Sequence, residues 1–381
     1  MTDRISRRAA LKAVLASSIT AFGGCLEDLD ESEGWPSFGF DVGNSGYAPE
    51  AVGPADEPSV RWEASVGDHR AGPPVVFEGR IYVGSRRGTV ASHDQDGRLT
   101  ALDESGDREW AYDVSAPVDG PITATRDGAY VGSNDGVVYA LGPDGSLRWE
   151  FDVGSGTSVT ATDEYVYATG ADDGLVALSA DGEEWWHYDP TPDSTVRGTP
   201  AYGGDRVFVG GSAVVAVEDG AADWTHGREE YRSGALVFAD ETLYAGETYV
   251  DGTEAEALQD RTVEAIDPSG ERRWAVSLPG AGGRAASEDV LVVTTSDAVV
   301  GLDLGSGETI WEYECHWPRI PSVAGQVAYV ETREGELHAV DVTSGDGLWK
   351  LDLGDDVTGR PAIANGTVYV GVERGDLLAL N

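Results

Sequence analysis

Cys315 and His316 are the pair best suited by type to hold a soft metal ion. Two adjacent side chains rarely converge on one ion, so a structural role is expected for both. Asp94-Gln95-Asp96-Gly97 opens like a calcium loop, but the twelfth position is Ser105 rather than glutamate, so the stretch reads as an acidic hairpin insertion. Gly280-Ala281-Gly282-Gly283 has the glycines of a dinucleotide loop without the strand–turn–helix context that would give them that use. The six histidines are scattered singly, and no CxxC, HExxH, Walker or GxSxG motif occurs. No catalytic residue and no metal site are therefore assigned. Asn365-Gly366-Thr367 is a formal glycosylation sequon, and it is also what a tight hairpin demands.

One charged pattern does suggest binding. Arg70, Arg197, Arg232, Arg284, Arg319 and Arg360 each fall just before, or at the start of, a short strand expected to lie innermost in a repeating unit. The chain carries 68 acidic residues against 26 Lys plus Arg, a net charge of −42, so six arginines gathered at one mouth would be uneven. Such a collar would grip an anionic ligand or an acidic partner segment through bidentate bonds. The alternative is that each arginine pairs with a nearby carboxylate and pins neighbouring units. The overall charge argues against nucleic acid, whose phosphates call for Lys and Arg.

The elements that would position these residues are repeats. Trp62, Trp110, Trp149, Trp186, Trp224, Trp274, Trp311 and Trp349 stand in matching contexts, spaced by 48, 39, 37, 38, 50, 37 and 38 residues. The last unit, RPAIANGTVYVGVERGDLLALN, reads as strand, Asn-Gly hairpin, strand, turn, strand. Other units add a fourth strand that carries the tryptophan. Four short strands per repeat, eight times over, predict an all-β, eight-bladed β-propeller of four-stranded antiparallel blades. After Trp349 only three strands remain, and VRWEASVG, residues 60–67, is expected to close the last blade from the N-terminal side. Insertions at 92–98 and 248–261, and a longer connection at 189–197, elaborate the loops.

The unit ALDESGDREW, with AIDPSGERRW, GLDLGSGETIW and AVDVTSGDGLW, resembles the blade motif of the pyrroloquinoline-quinone (PQQ) repeat family. WPSFGFDVGNSGYAP, residues 35–49, is similar to the segment that precedes the first blade there. The resemblance covers nearly everything after residue 34. It implies that the eight tryptophans dock blade on blade. Catalytic relatives in that family hold PQQ and Ca²⁺ under a roof of long loops, beside a pair of adjacent cysteines. This chain has neither the loops nor the cysteine pair, so it reads as a non-catalytic member without a resident cofactor. A PQQ-dependent oxidoreductase and capture of a small anionic ligand are the alternatives.

The first 25 residues read as an address. Arg7-Arg8 followed by a short run of small apolar residues resembles a twin-arginine export signal, and Phe22-Gly23-Gly24-Cys25 resembles a lipobox. The expected organisation is a signal with lipobox over 1–25, an acidic tether over 26–34 and the propeller over 35–381. Cys25 would carry the lipid that holds a monomeric domain, and its unidentified protein partner, at the outer face of the cytoplasmic membrane. The acidity, with lysine only at positions 12 and 350, fits a salt-loving archaeal source.

Overall fold

The computed structural model describes residues 34–88, 96–118, 120–170, 174–191, 195–227, 236–246 and 260–381. Arg7, Arg8, Cys25, Arg232 and the two hairpin insertions (92–95 of the first, 248–259 of the second) lie outside the described residues.

Eight antiparallel sheets follow one another along the chain, as the repeats predicted. Blades 1 to 7 span residues 70–114, 122–152, 158–188, 196–226, 237–279, 284–314 and 322–352. Blade 8 takes three strands from 362–380, and its outermost strand is Val60–Ser65, paired antiparallel with Asp376–Leu380. The ring is thus closed by hydrogen bonds between the two ends of the domain, completed by Ser59 and Asn381 bonding each other's backbone. In every blade the first strand is rich in small apolar residues, such as Ala362-Ile363-Ala364, which let eight strands converge on one axis. That strand runs from what we call the upper end of the ring to the lower end.

The blade contacts explain the repeated motif. Seven of the eight docking tryptophans donate the indole N–H to a backbone carbonyl of the next unit: Trp62 to Glu104, Trp110 to Pro143, Trp149 to Ala180, Trp224 to Pro268, Trp274 to Leu304, Trp311 to Val342 and Trp349 to Pro54. Five of the accepting turns are capped by an aspartate carboxylate, that of Asp103, Asp144, Asp267, Asp303 or Asp341. Asp144 Oδ1, for example, accepts from the Ser146 N–H at 3.0 Å and its hydroxyl at 2.6 Å. The same arrangement at Asp103, Asp267 and Asp303 holds these exposed carboxyls below their usual range, because the serine bond favours the charged form.

A glycine then lies flat on the indole. Gly145 has φ +80°, and a β-carbon there would sit 2.6 Å from the Trp110 ring. Gly145→Ala is therefore expected to cost more than the ~1–3 kcal/mol of a strained backbone alone. Gly354 has φ +69° with nothing within 4 Å, so Gly354→Ala isolates the backbone part. Denaturant midpoints of the two variants should differ clearly. Equal losses would show that the indole does not need the bare glycine.

Residues 35–52 form a second, non-repeating structure inside the ring. The segment starts low beside blade 1, where Trp35 and Val76 exchange backbone bonds at 2.7 and 2.8 Å. It rises until Phe38 N–H donates to Ile122 O, then descends. Tyr202, Phe238, Ala286, Val323, Gly325 and Gly366 donate their N–H groups to Val42, Gly43, Ser45, Gly46, Ala48 and Val52. Tyr47–Ala48 lies parallel to Val323–Ala324 as an extra strand of blade 7. One short stretch thereby bonds to seven of the eight blades and fills the lower channel.

Candidate functional site

With the lower channel filled, the ring keeps an open cavity of about 750 Å³ at its upper end. Its walls are the connections that enter the first strands, represented by Pro73, Pro121, Gly283, Pro318 and Thr358, and the middle hairpins, represented by Thr294 to Ser296 and Arg333. Phe38, the apex of the inner segment, lines its base. The volume falls within the range of small-ligand clefts, roughly 300–1,000 Å³.

The lining is chemically one-sided. It contains three arginines, Arg261, Arg319 and Arg333, and no carboxylate among the described lining residues. Arg261 donates from Nη1 to Ala281 O at 3.1 Å, while its buried Nε lacks an acceptor. The buried Nε of Arg319 lacks one too. Burial depresses the guanidinium of both below the ordinary arginine range. At Arg319 the neighbouring Glu331 opposes that shift, while Arg333 and Arg70 add to it. Arg333 is exposed and lies over the Trp317 ring at 5.4 Å. Glu331 itself is enclosed beneath this wall, where it accepts the Gly359 N–H at 3.3 Å. Burial pushes its carboxyl up to about 8, against the pull of Arg319.

The six arginines singled out by sequence do not form one ring. Arg319 lines the funnel. Arg70 sits beside it, donating to Thr358 O at 2.9 Å and lying 3.5 Å from Glu373. Arg197 is exposed in the first strand of blade 4. Arg284 and Arg360 are buried around a small space below Phe38. There Arg360 donates to Pro321 O and Arg284 O and holds its charge 5.4 Å from the Phe38 ring. These two brace the inner segment, Arg360 from two residues before the first strand of blade 8 and Arg284 from the start of that of blade 6. Arg261 and Arg333, which do line the funnel, were missed by sequence reasoning. They sit beside the middle hairpins, where the only available signal is a basic residue next to a turn.

Cys315 is buried and its thiol is pushed up to about 12, which leaves little thiolate. His316 lies 3.3 Å from Asp297, and no group of three or more potential metal ligands occurs among the described residues. A calcium–quinone pair makes demands that the described funnel does not meet. Calcium takes six to eight oxygen ligands, carboxylates prominent among them. A described wall with three guanidinium groups and no carboxylate does not supply that set.

Comparison with known proteins agrees with this geometry. A family model described as "Outer membrane protein assembly factor BamB" matches residues 50–141, 95–250 and 259–381. Among curated proteins, the outer membrane protein assembly factor BamB of Xanthomonas campestris is 28% identical over 187 residues, 45% of this chain and 44% of that protein. BamB of Alkalilimnicola ehrlichii is 28% identical over 203 residues, 49% of this chain and 52% of that protein. The chain thus spans about half the length of the curated relatives it matches. Among solved structures, BamB from Moraxella catarrhalis superposes with a TM-score of 0.65 at 18% identity, covering 85% of this chain and 97% of that one. Quinohemoprotein alcohol dehydrogenase from Comamonas testosteroni gives 0.71 at 14% identity, covering 98% and 84%. At such identities the structural likeness speaks to fold alone.

Proposed function

The chain belongs to the family described as outer membrane protein assembly factor BamB, a PQQ-repeat β-propeller family, and on that premise we propose that it is an exported, lipid-anchored scaffold that docks a protein partner at the outer face of the cytoplasmic membrane. The observation that carries this reading is the funnel: a mouth whose described lining holds three arginines and no carboxylate, on a rigid ring, in a chain of net charge −42. Rigid scaffolds with elaborated loops are suited to holding partners. The role is non-catalytic and needs no resident cofactor. The relatives' name as assembly factors supports a protein rather than a metabolite as the thing bound.

In this reading residues 1–25 export the chain through Arg7-Arg8 and end at the lipidated Cys25, and 26–34 form the tether. The surface acidity suits a salt-loving archaeon, where screening tempers the self-repulsion of so many carboxylates.

Two measurements test the reading. Cys25→Ala should move the protein from the membrane fraction to the soluble or secreted one, and mass analysis of the wild-type N-terminus should find a lipid. Retention of the variant on membranes would overturn the anchor. A photo-crosslinking residue in place of Ser296, at the funnel, should trap a partner in native membranes, and one in place of Leu147, exposed on an outer strand, should not. Equal or absent trapping would overturn docking at the mouth.

A further inference from the structure

We infer that the funnel seats an extended acidic stretch of polypeptide carrying at least two carboxylates. This rests on the docking reading and names what is docked. Arg319 and Arg333 belong to blade 7 and its entry, whereas Arg261 belongs to blade 5. A ligand that engages both groups must present acidic groups at two places rather than one. The buried Nε atoms of Arg261 and Arg319 have no acceptor, and a carboxylate entering the cavity would supply one. Guanidinium–carboxylate pairs of this kind are strongest where water is displaced.

Salt decides where such pairs survive. At 1 M salt the screening length is about 3 Å, which erases attraction between exposed charges but spares groups in contact and partly buried. Arg261 and Arg319 meet that condition. Several partly buried arginines elsewhere on the ring already pair with carboxylates of this chain, as Arg206 does with Asp223 at 2.8 Å. Trp317, under Arg333, offers a flat apolar face at the rim.

The test is calorimetric titration of the purified propeller with a short Asp-rich peptide, its Asn-substituted counterpart and succinate. The Asp peptide should bind with one site per chain, and the Asn peptide should not. Arg261→Gln and Arg319→Gln should each weaken binding roughly ten- to hundredfold, the range of a charged hydrogen bond. Arg333→Gln, at an exposed position that tolerates change, guards against a folding failure of the other two and should also weaken binding. Arg206→Gln on blade 4 should leave it unchanged. Succinate binding as tightly as the peptide would overturn the assignment of a polypeptide segment. No binding of the Asp peptide to folded protein would overturn the acidic chemistry. Crosslinking from position 296 would still report whether a partner docks there at all.

Discussion

Trp35→Ala is expected to lower the stability of the propeller by about 3–5 kcal/mol, the range for removing a fully enclosed large aromatic. Trp35 is wholly buried and stands edge-on to Phe40, with ring centroids 5.3 Å apart. Its backbone bonds to Val76 would survive the substitution, so the loss measures packing rather than pairing. The effect should spread beyond blade 1. Residues 35–52 are bonded to seven blades, and a loosened start lets Phe38 drop from the base of the funnel. The measurement is the denaturant midpoint of the variant against wild type, together with hydrogen exchange at Tyr202, Phe238 and Ala286. Their amides donate to the inner segment on the far side of the ring. A loss under about 1 kcal/mol, far below the large-to-small range, with unchanged exchange there, would mean that the ring stands without its plug.

The contrast between ring and plug also shows what the sequence could reveal. The blades were legible because their signals recur: a tryptophan, an aspartate-capped turn and a glycine on the preceding indole, imposed by the same contact at most junctions. The closing strand was legible because the last unit is one strand short and residues 60–65 have the right alternation. The plug carries no such signature. Trp35, Phe40 and Ala48 follow neither the alternation of a strand nor a helical period, since the segment that carries them bonds seven different blades in turn. The arginines failed for a related reason. Sequence fixes where a residue lies along a first strand, but depth along the channel axis depends on how far the plug rises. Arg319 and Arg360 occupy similar places before their strands, yet one lies in the funnel wall and the other is sealed beneath Phe38. Arg319 stands three residues before Ser322 and Arg360 two before Ala362, and that one-residue step gains its meaning only from where the plug lies.

The second large effect concerns Glu331 and pH. Its carboxyl is raised to about 8 in the folded protein from an ordinary value of 4.5. Between those values the folded state keeps a proton that the unfolded chain has released. Stability contributed at low pH is therefore lost as pH rises through this window, by about 1.4 kcal/mol per unit and on the order of 3–5 kcal/mol in all. The groups that face Glu331 are the Arg319 guanidinium and the Gly359 N–H, and Arg70, Arg333 and Glu373 surround that arginine. Glu331→Gln removes the titration while keeping the shape. It should match wild type near pH 4.5 and exceed it by several kcal/mol above pH 8, read as the difference between the two denaturation profiles at each pH. The exposed turn aspartates Asp103, Asp144, Asp267 and Asp303 act in the opposite sense. Their lowered values give stability that is present above 3.8 and lost as pH falls through the folded value, and both proteins share it, so it cancels in the difference. A flat difference profile would mean that Glu331 ionises as readily in the fold as in the chain. The same titration reaches the funnel. A Glu331 charged above pH 8 competes with an acidic guest for Arg319, so affinity for the Asp-rich peptide should fall as pH rises through about 8 in the wild type and stay level in Glu331→Gln.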